Sequence, residues 1–256
     1  MGLFDKKYCD VCGERIGLLG NRKLEDGNLC KDCARKLSPW FSERRNSSVN
    51  EIKRQLEYRE ENRGRVEAFH ITRTLGSGTK LLLDEDAGLF MVTSAKNIAE
   101  ANPDVLALSD VTGCTLDVEE NSKELLHEDK DGNEVSYNPP RYEYSYDFYI
   151  IVNVNNPYFN EMRFRINPNS VEISPPPSIR PGVTLRFNPE TNAEYKKYKQ
   201  LGEEIRQILV KVRDDAREKI EQAAAPKTAV SCPYCGATTT PDASGCCEYC
   251  GGALMG

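Results

Sequence analysis

Four Cys-x-x-Cys pairs, two near each end of the chain, constrain its fold more than any other feature. Cys9/Cys12 is followed by Cys30/Cys33, and Cys232/Cys235 by Cys247/Cys250. The two pairs of a set are separated by 17 residues in the first case and 11 in the second. A two-residue spacer lets both sulfurs of a pair leave one tight turn on the same side. Two such turns facing each other build a tetrahedral S4 cage, the geometry that a d10 ion such as Zn2+ accepts. Eight of the ten cysteines are used this way, so the expectation is two structural zinc ions. Iron in a rubredoxin-like cage uses the same four thiolates, and spacing does not separate the two metals. Thioredoxin-like redox chemistry needs one such pair at a strand–helix junction, not four in matched sets. Structural disulfides need an oxidising compartment, and nothing in the sequence routes the chain to one.

The residues around the cysteines agree with a metal role. Cys12, Cys235 and Cys250 are each followed by glycine (Gly13, Gly236, Gly251), and a residue free to take positive φ lets backbone N–H groups aim at the sulfurs. Lys31, Arg35 and Lys36 flank the second pair and offset the formal −2 charge of a zinc tetrathiolate. Cys246 abuts Cys247 and is an alternative ligand. The repetition of Cys-Pro-Tyr-Cys-Gly (232–236) as Cys-Glu-Tyr-Cys-Gly (247–251) favours Cys247. Cys114, alone in a strand-like run, reads as a small buried hydrophobe.

The chain begins Met-Gly-Leu-Phe-Asp without an apolar signal core, Lys6 stands where a myristoylation motif wants Ser or Thr, and no apolar run is long enough to span a membrane. A cytoplasmic protein is expected. The net charge of −6 is uneven: residues 1–65 carry a net +4 and residues 66–188 a net −9. An acidic middle is a poor match for a phosphate backbone. The positive bias of Arg44, Arg45, Lys53 and Arg54 reads first as a solvated helix face.

Pattern divides the chain into four segments: a zinc module over 1–40, a connecting helix over 41–64, a β-rich domain with a closing helix over 65–225, and a zinc ribbon over 226–256. In the first, a knuckle, a hairpin turning at Asp26-Gly27-Asn28 and a short helix bearing the second ligand pair follow in treble-clef order. Ser48-Val49-Asn50-Glu51 supplies a capping box for the connecting helix. The clearest strand is 142–154, where Tyr142, Tyr144, Tyr146, Phe148, Ile150, Val152 and Val154 alternate with Glu143, Ser145 and Asp147, as a half-buried antiparallel strand requires. Tyr149 and Ile151 give its middle a second apolar face that something must cover. Further strands are expected at 66–75, 80–83, 89–92, 112–118, 162–166 and 184–187, with an extended Pro-rich loop at 174–181. About seven short strands indicate a barrel or sandwich. Leu201, Ile205, Ile208, Leu209, Val212, Ala216 and Ile220 form one helical stripe whose first half should close the barrel. Residues 223–230 read as a linker.

The segment Tyr8-Cys9-Asp10-Val11-Cys12-Gly13, through Leu24-Glu25-Asp26-Gly27 and Cys30-Lys31-Asp32-Cys33 to Leu37-Ser38-Pro39-Trp40, resembles a bacterial four-cysteine domain family of unknown function. The last 25 residues resemble generic short zinc ribbons. The middle, with its short strands, the Leu108–Thr112 stretch, a long hairpin and a closing helix, resembles pleckstrin-homology-like domains. The resemblance implies zinc at both ends, a partly open antiparallel barrel between them, and no known activity. Lipid headgroups, peptides and proteins are all bound by such folds. The acidic middle departs from the basic pocket that phosphoinositide binders need.

Other motifs do not carry chemistry. Gly76-Ser77-Gly78-Thr79-Lys80 lacks phosphate-loop spacing, and Asp129-Lys130-Asp131-Gly132-Asn133 lacks calcium-loop ligands at both ends; both read as turns. His70 and His127 have no sequence-local nucleophile. The tyrosine run 142–149 has carboxylates between its rings, so core packing is expected rather than base stacking. The sequence therefore points to a non-enzymatic adaptor or scaffold with two structural zinc sites and a protein or small-ligand partner. The alternative is a nucleic-acid-binding regulator that uses the zinc modules and the basic helix.

Overall fold

The computed structural model describes residues 6–174, 188–224, 229–242 and 245–254. The chain divides into two compact units, Met1–Asp214 and Asp215–Gly256.

The first unit begins with two small hairpins. β1 (Lys7–Tyr8) pairs antiparallel with β2 (Arg15–Ile16), and β3 (Arg22–Lys23) with β4 (Asn28–Leu29). The short helix α1 (Lys31–Arg35) follows, then the long helix α2 (Val49–Ala68). The capping box is present: Glu51 N–H donates to Ser48 Oγ at 3.3 Å, and Ser48 N–H donates to Glu51 Oε2 at 2.7 Å. α2 continues to Ala68, so Val66 is helical and the strand expected from 66 is confined to β5 (Arg73–Leu75). Val66 is nevertheless apolar for a packing reason. It is buried with Leu82, Met91 and Val105, whereas Ile52 at the other end of α2 is buried with Leu24, Leu29 and Cys33. One helix thus serves two cores.

β5, β6 (Lys80–Asp84), β7 (Leu89–Thr93) and, after the one-turn α3 (Ile98–Ala101), β8 (Val105–Ala107) form a four-stranded antiparallel meander. A second sheet is built on a long hairpin, β9 (Val111–Glu128) against β10 (Glu134–Val154), with Ile150 opposite Leu116. The other edge of β10 is shared by β11 (Glu161–Arg165) and β12 (Val171–Ile173). Among the described residues no ladder joins the two sheets, so the expected barrel is not closed. Alternation tells which face of a strand is buried but not which strand it pairs with. The 184–187 strand and the 175–181 part of the Pro-rich loop lie outside the described residues.

On β10 the even positions from Tyr146 to Val154 are buried, as alternation predicts, while Tyr142 is exposed. The hairpin outlasts the core. From about Glu119 on β9 and before Tyr144 on β10, both strands are largely exposed and, among the described residues, pair only with each other. The outer face at Tyr149 is covered by Arg163, whose guanidinium lies 3.4 Å from the ring centroid and reaches Asp117 and Glu119. The two dismissed motifs are turns. Gly76 takes φ +87°, and Asp129 Oδ1 accepts from the N–H groups of Asp131 and Asn133, each at 2.9 Å.

α4 (Ala193–Ala224) packs across the hairpin through Tyr195, Tyr198, Gly202, Ile205 and Leu209. Tyr195 sits edge-on to Tyr146 and Phe148 at 4.9 and 5.1 Å. A Cβ on Gly202 would come within 2.5 Å of Leu116 Cδ1, so the glycine lets the helix approach without displacing the Leu116 side chain. Leu201 and Ile208 flank the buried stripe and are half-exposed; the side chains of Ala216 and Ile220 lie outside the described residues.

Ile150 is fully buried, whereas Glu143 is half-exposed and accepts from Ser174 Oγ at 3.0 Å. Urea unfolding of Ile150→Ala is expected to show a loss of about 2–5 kcal/mol, with Glu143→Ala close to neutral. A severe Glu143→Ala beside a neutral Ile150→Ala would invert the face assignment.

Candidate metal centres

The first cage is assembled from unlike halves. Cys9 and Cys12 lie on a knuckle closed by Cys9 N–H to Glu14 O (2.9 Å) and Gly13 N–H to Cys9 O (2.8 Å), with Gly13 at φ +75°. The β3–β4 hairpin delivers Cys30, which caps α1 by accepting from Cys33 N–H at 3.3 Å. Because Cys33 is helical, its pair needs no following glycine. Asp10 docks the halves: its Oδ2 accepts from Asn28 N–H at 2.6 Å, and its own N–H donates to Asn28 O at 2.9 Å. Cys30 N–H donates to Cys9 Sγ at 3.3 Å.

The second cage is assembled from like halves. Gly236 N–H donates to Cys232 O (2.9 Å) and Gly251 N–H to Cys247 O (2.8 Å). Cys232 N–H closes on Ala237 O (2.8 Å) and Cys247 N–H on Gly252 O (2.7 Å). Gly236 and Gly251 take φ +74° and +70°. The hairpin of β13 (Val230–Ser231) and β14 (Thr238–Thr239) carries the first knuckle.

In each cage the four sulfurs lie within 4.8 Å of one another. Cys12–Cys30, Cys235–Cys247 and Cys232–Cys250 are 3.7, 3.7 and 3.5 Å apart. A tetrahedron with Zn–S bonds of about 2.3 Å has edges of about 3.8 Å, whereas a disulfide would need about 2 Å, so the donor set fits zinc. The electrostatics agrees with a bound cation. Burial opposes ionisation of Cys9, yet N–H groups of Cys12, Cys30 and Val11 draw its pKa down to about 7. Burial and its sulfur neighbours push Cys33 up, and Cys250 stands at about 12, raised by Cys235 and Cys232 against the N–H of Gly252. Four thiolates at these distances ionise together only around a metal. The two clusters suit two structural zinc ions.

The eight cysteines named from spacing lie in two clusters of four. Cys246 stays outside the second cage, in a bridge with Ala253. Cys114 is buried opposite Val152, and burial raises its thiol to about 12. Of the flanking cations, Arg35 pairs with Asp32 on the surface. His70 and His127 are exposed. Spacing gave no sign that α2 belongs to the first centre, although Ile52 is fully buried among Leu24, Leu29 and Cys33.

Residues 7–55 match the model of a domain of unknown function, DUF4428. The match covers the first cage and runs into α2, where Ile52 completes the core. The DUF4428 region is thus an N-terminal module with one four-cysteine cluster, and the second cluster lies beyond it near the C-terminus. The chain matches no curated protein and no solved structure. Among the described residues no helix is long and apolar enough to cross a membrane.

Proposed function

We propose that the chain is a non-enzymatic, cytoplasmic adaptor or scaffold whose zinc ions are structural and whose partner is a protein. Four thiolates complete the coordination of each ion and leave no position for a reacting water. The observation that carries the partner role is a pair of exposed rings. Tyr234 and Tyr249 occupy the same place in the two knuckles of the second cage and are 72% and 73% exposed. Aromatic side chains are the residues most often found at the energetic centre of protein interfaces, and neither ring is used to build a core here. The knuckle, hairpin and helix of the first module support a treble-clef assignment, and the two knuckles of the second support a zinc ribbon. Two antiparallel sheets followed by a helix across one of them support a pleckstrin-homology-like platform over 65–225.

The test is cross-linking of the zinc-loaded full chain in native lysate, compared with Tyr234→Ser/Tyr249→Ser. A partner held through these rings should be depleted about tenfold or more in the variant, while both zinc ions are retained. Equal recovery by the two chains would remove the tyrosines from the interface. Duplex DNA or RNA at physiological salt should bind no tighter than about 10 μM. Sequence-selective nanomolar binding, weakened by changing Arg44, Arg45, Lys53 and Arg54 together, would replace the adaptor with a nucleic-acid-binding regulator.

A further inference from the structure

The DUF4428 region carries two surface features that its zinc site does not explain, and they adjoin. The first is the turn between β2 and β3. Gly20 N–H donates to Gly17 O at 3.0 Å, which makes Leu18 and Leu19 the central residues of a four-residue turn. Leu19 is at φ +67°, in the position that glycine or asparagine ordinarily fills. Both leucines are solvated almost completely, 91% and 92% exposed. The backbone is held in an unfavourable region for a leucine, and the result is an apolar tip that the described residues leave uncovered. Neither side chain stabilises the folded chain, so folding does not account for them.

The second feature is a concavity of about 660 Å³ lined by Asn21, Arg22, Lys23, Leu24, Glu25, Arg44 and Arg45. Four cations share it with one carboxylate, and among the described residues no ion pair is formed by Arg22, Lys23, Arg44, Arg45 or Glu25. The guanidinium groups are positioned by carbonyls instead. Arg44 Nη1 donates to Lys23 O at 2.8 Å, and Arg22 Nη1 donates to Leu19 O at 3.3 Å. That last bond ties the cation cluster to the leucine turn itself. Burial, then repulsion by Arg45 and Arg22, lowers the pKa of Arg44, so the cluster is electrostatically unsatisfied as it stands.

We infer that this face binds an anionic phospholipid surface, with headgroup phosphates in the Arg22–Arg44–Arg45 concavity and the Leu18–Leu19 tip inserted at the acyl boundary. Each half accounts for what the other leaves unexplained. Soluble phosphate would satisfy the cations and leave the leucines in water, and an apolar protein groove would cover the leucines and leave the cations unpaired. A bilayer offers phosphate and hydrocarbon a few ångströms apart, in the order in which turn and concavity present their partners. A net +4 over residues 1–65 against −9 over 66–188 orients this end toward an anionic surface and holds the middle away. The inference goes beyond the adaptor role and does not depend on it.

The test is co-sedimentation of the zinc-loaded full chain with phosphatidylcholine vesicles containing about one-third phosphatidylserine, with pure phosphatidylcholine vesicles alongside. Binding is expected to the anionic vesicles alone. Arg22→Gln/Arg45→Gln should reduce the partition coefficient about tenfold or more. Leu18→Ser/Leu19→Asn should reduce it severalfold without touching charge. The leucine variant keeps its fold because both side chains are solvated and asparagine tolerates positive φ. Retention of two zinc ions checks the arginine variant. Should that variant misfold, Arg45→Gln alone, at an exposed side chain with no hydrogen bond among the described residues, still has to weaken binding. Binding of soluble glycerophosphoserine without preference for vesicles, or loss in the arginine variant with full binding by the leucine variant, overturns the membrane assignment. Equal binding of wild type and both variants overturns the site.

Discussion

Elemental analysis of the purified chain should find two zinc ions per molecule, and Cys30→Ser should find one and lose the fold of the DUF4428 region. Serine is itself a good N-cap, so the substitution preserves an acceptor for Cys33 N–H on α1 and isolates the metal as the cause. Structural zinc contributes on the order of 10 kcal/mol to small modules of this kind, far above what a single ordinary contact supplies. The loss should not stop at the cage. Cys9, Cys33, Leu24, Leu29 and Ile52 share one core, so amide exchange at Leu24, Leu29 and Ile52 should accelerate together. Recovery of fewer than two zinc ions from wild type, or of iron, would sink the assignment. A protected Ile52 in Cys30→Ser would show that α2 stands without the cage.

Arg59→Ala should be among the most damaging substitutions away from the metals, at about 3–5 kcal/mol. Arg59 Nη1 donates to Asp104 Oδ1 at 2.7 Å, with both side chains nearly inaccessible. Its Nε reaches Lys36 O at 3.2 Å, and Nη2 donates to Asn102 O. Ser38 Oγ occupies the other Asp104 oxygen at 2.8 Å. Asn62 Nδ2 donates to Pro103 O at 2.7 Å, and Asn62 Oδ1 accepts from Val105 N–H at 2.9 Å. These bonds join the zinc module, α2 and the approach to β8, so a fragment that starts at residue 65 lacks Ser38, Arg59 and Asn62 and leaves Asp104 without them. Burial raises the pKa of Asp104, although Arg59 and Ser38 pull it down. The native state therefore holds this proton more tightly than the unfolded chain, and the group's contribution to stability falls as pH rises above 3.8. Removing Arg59 raises the folded pKa further. The deficit of Arg59→Ala should accordingly be larger at pH 7 than below pH 3.8, where protonation of Asp104 removes the need for a cation. A deficit independent of pH would mean that Arg59 acts through packing alone. In a double-mutant cycle with Asp104→Asn, the combined loss should fall short of the sum.

Each part that local chemistry dictates was open to inspection in the linear chain. Two-residue spacers identify the eight cysteines because both ligands of a pair must leave one turn. Period-two alternation identifies the inner face of β10 because successive side chains of a strand point to opposite sides. The Ser48–Glu51 box marks the start of α2 because its donors and acceptors lie within one turn. What remained hidden depends on residues far apart in sequence. α2 buries Ile52, Gln55, Arg59, Asn62 and Val66, a stripe in which Arg59 and Asn62 make sense only opposite Asn102, Pro103 and Asp104. Tyr195, Tyr198 and Gly202 join the face of α4 because the hairpin lies beneath them, with Gly202 against the Leu116 side chain. Strand alternation was equally compatible with a closed barrel and with two separate sheets, since hydropathy carries no record of which edges pair. The concavity beside Leu18–Leu19 exists because the 3-10 turn 43–46 brings Arg44 and Arg45 to Arg22 and Lys23. Spacing and periodicity determined the metal ligands and the buried faces of the elements. Only tertiary packing decided which elements share a core, because long-range contacts are chosen by the whole chain's burial and not by any segment's own preference.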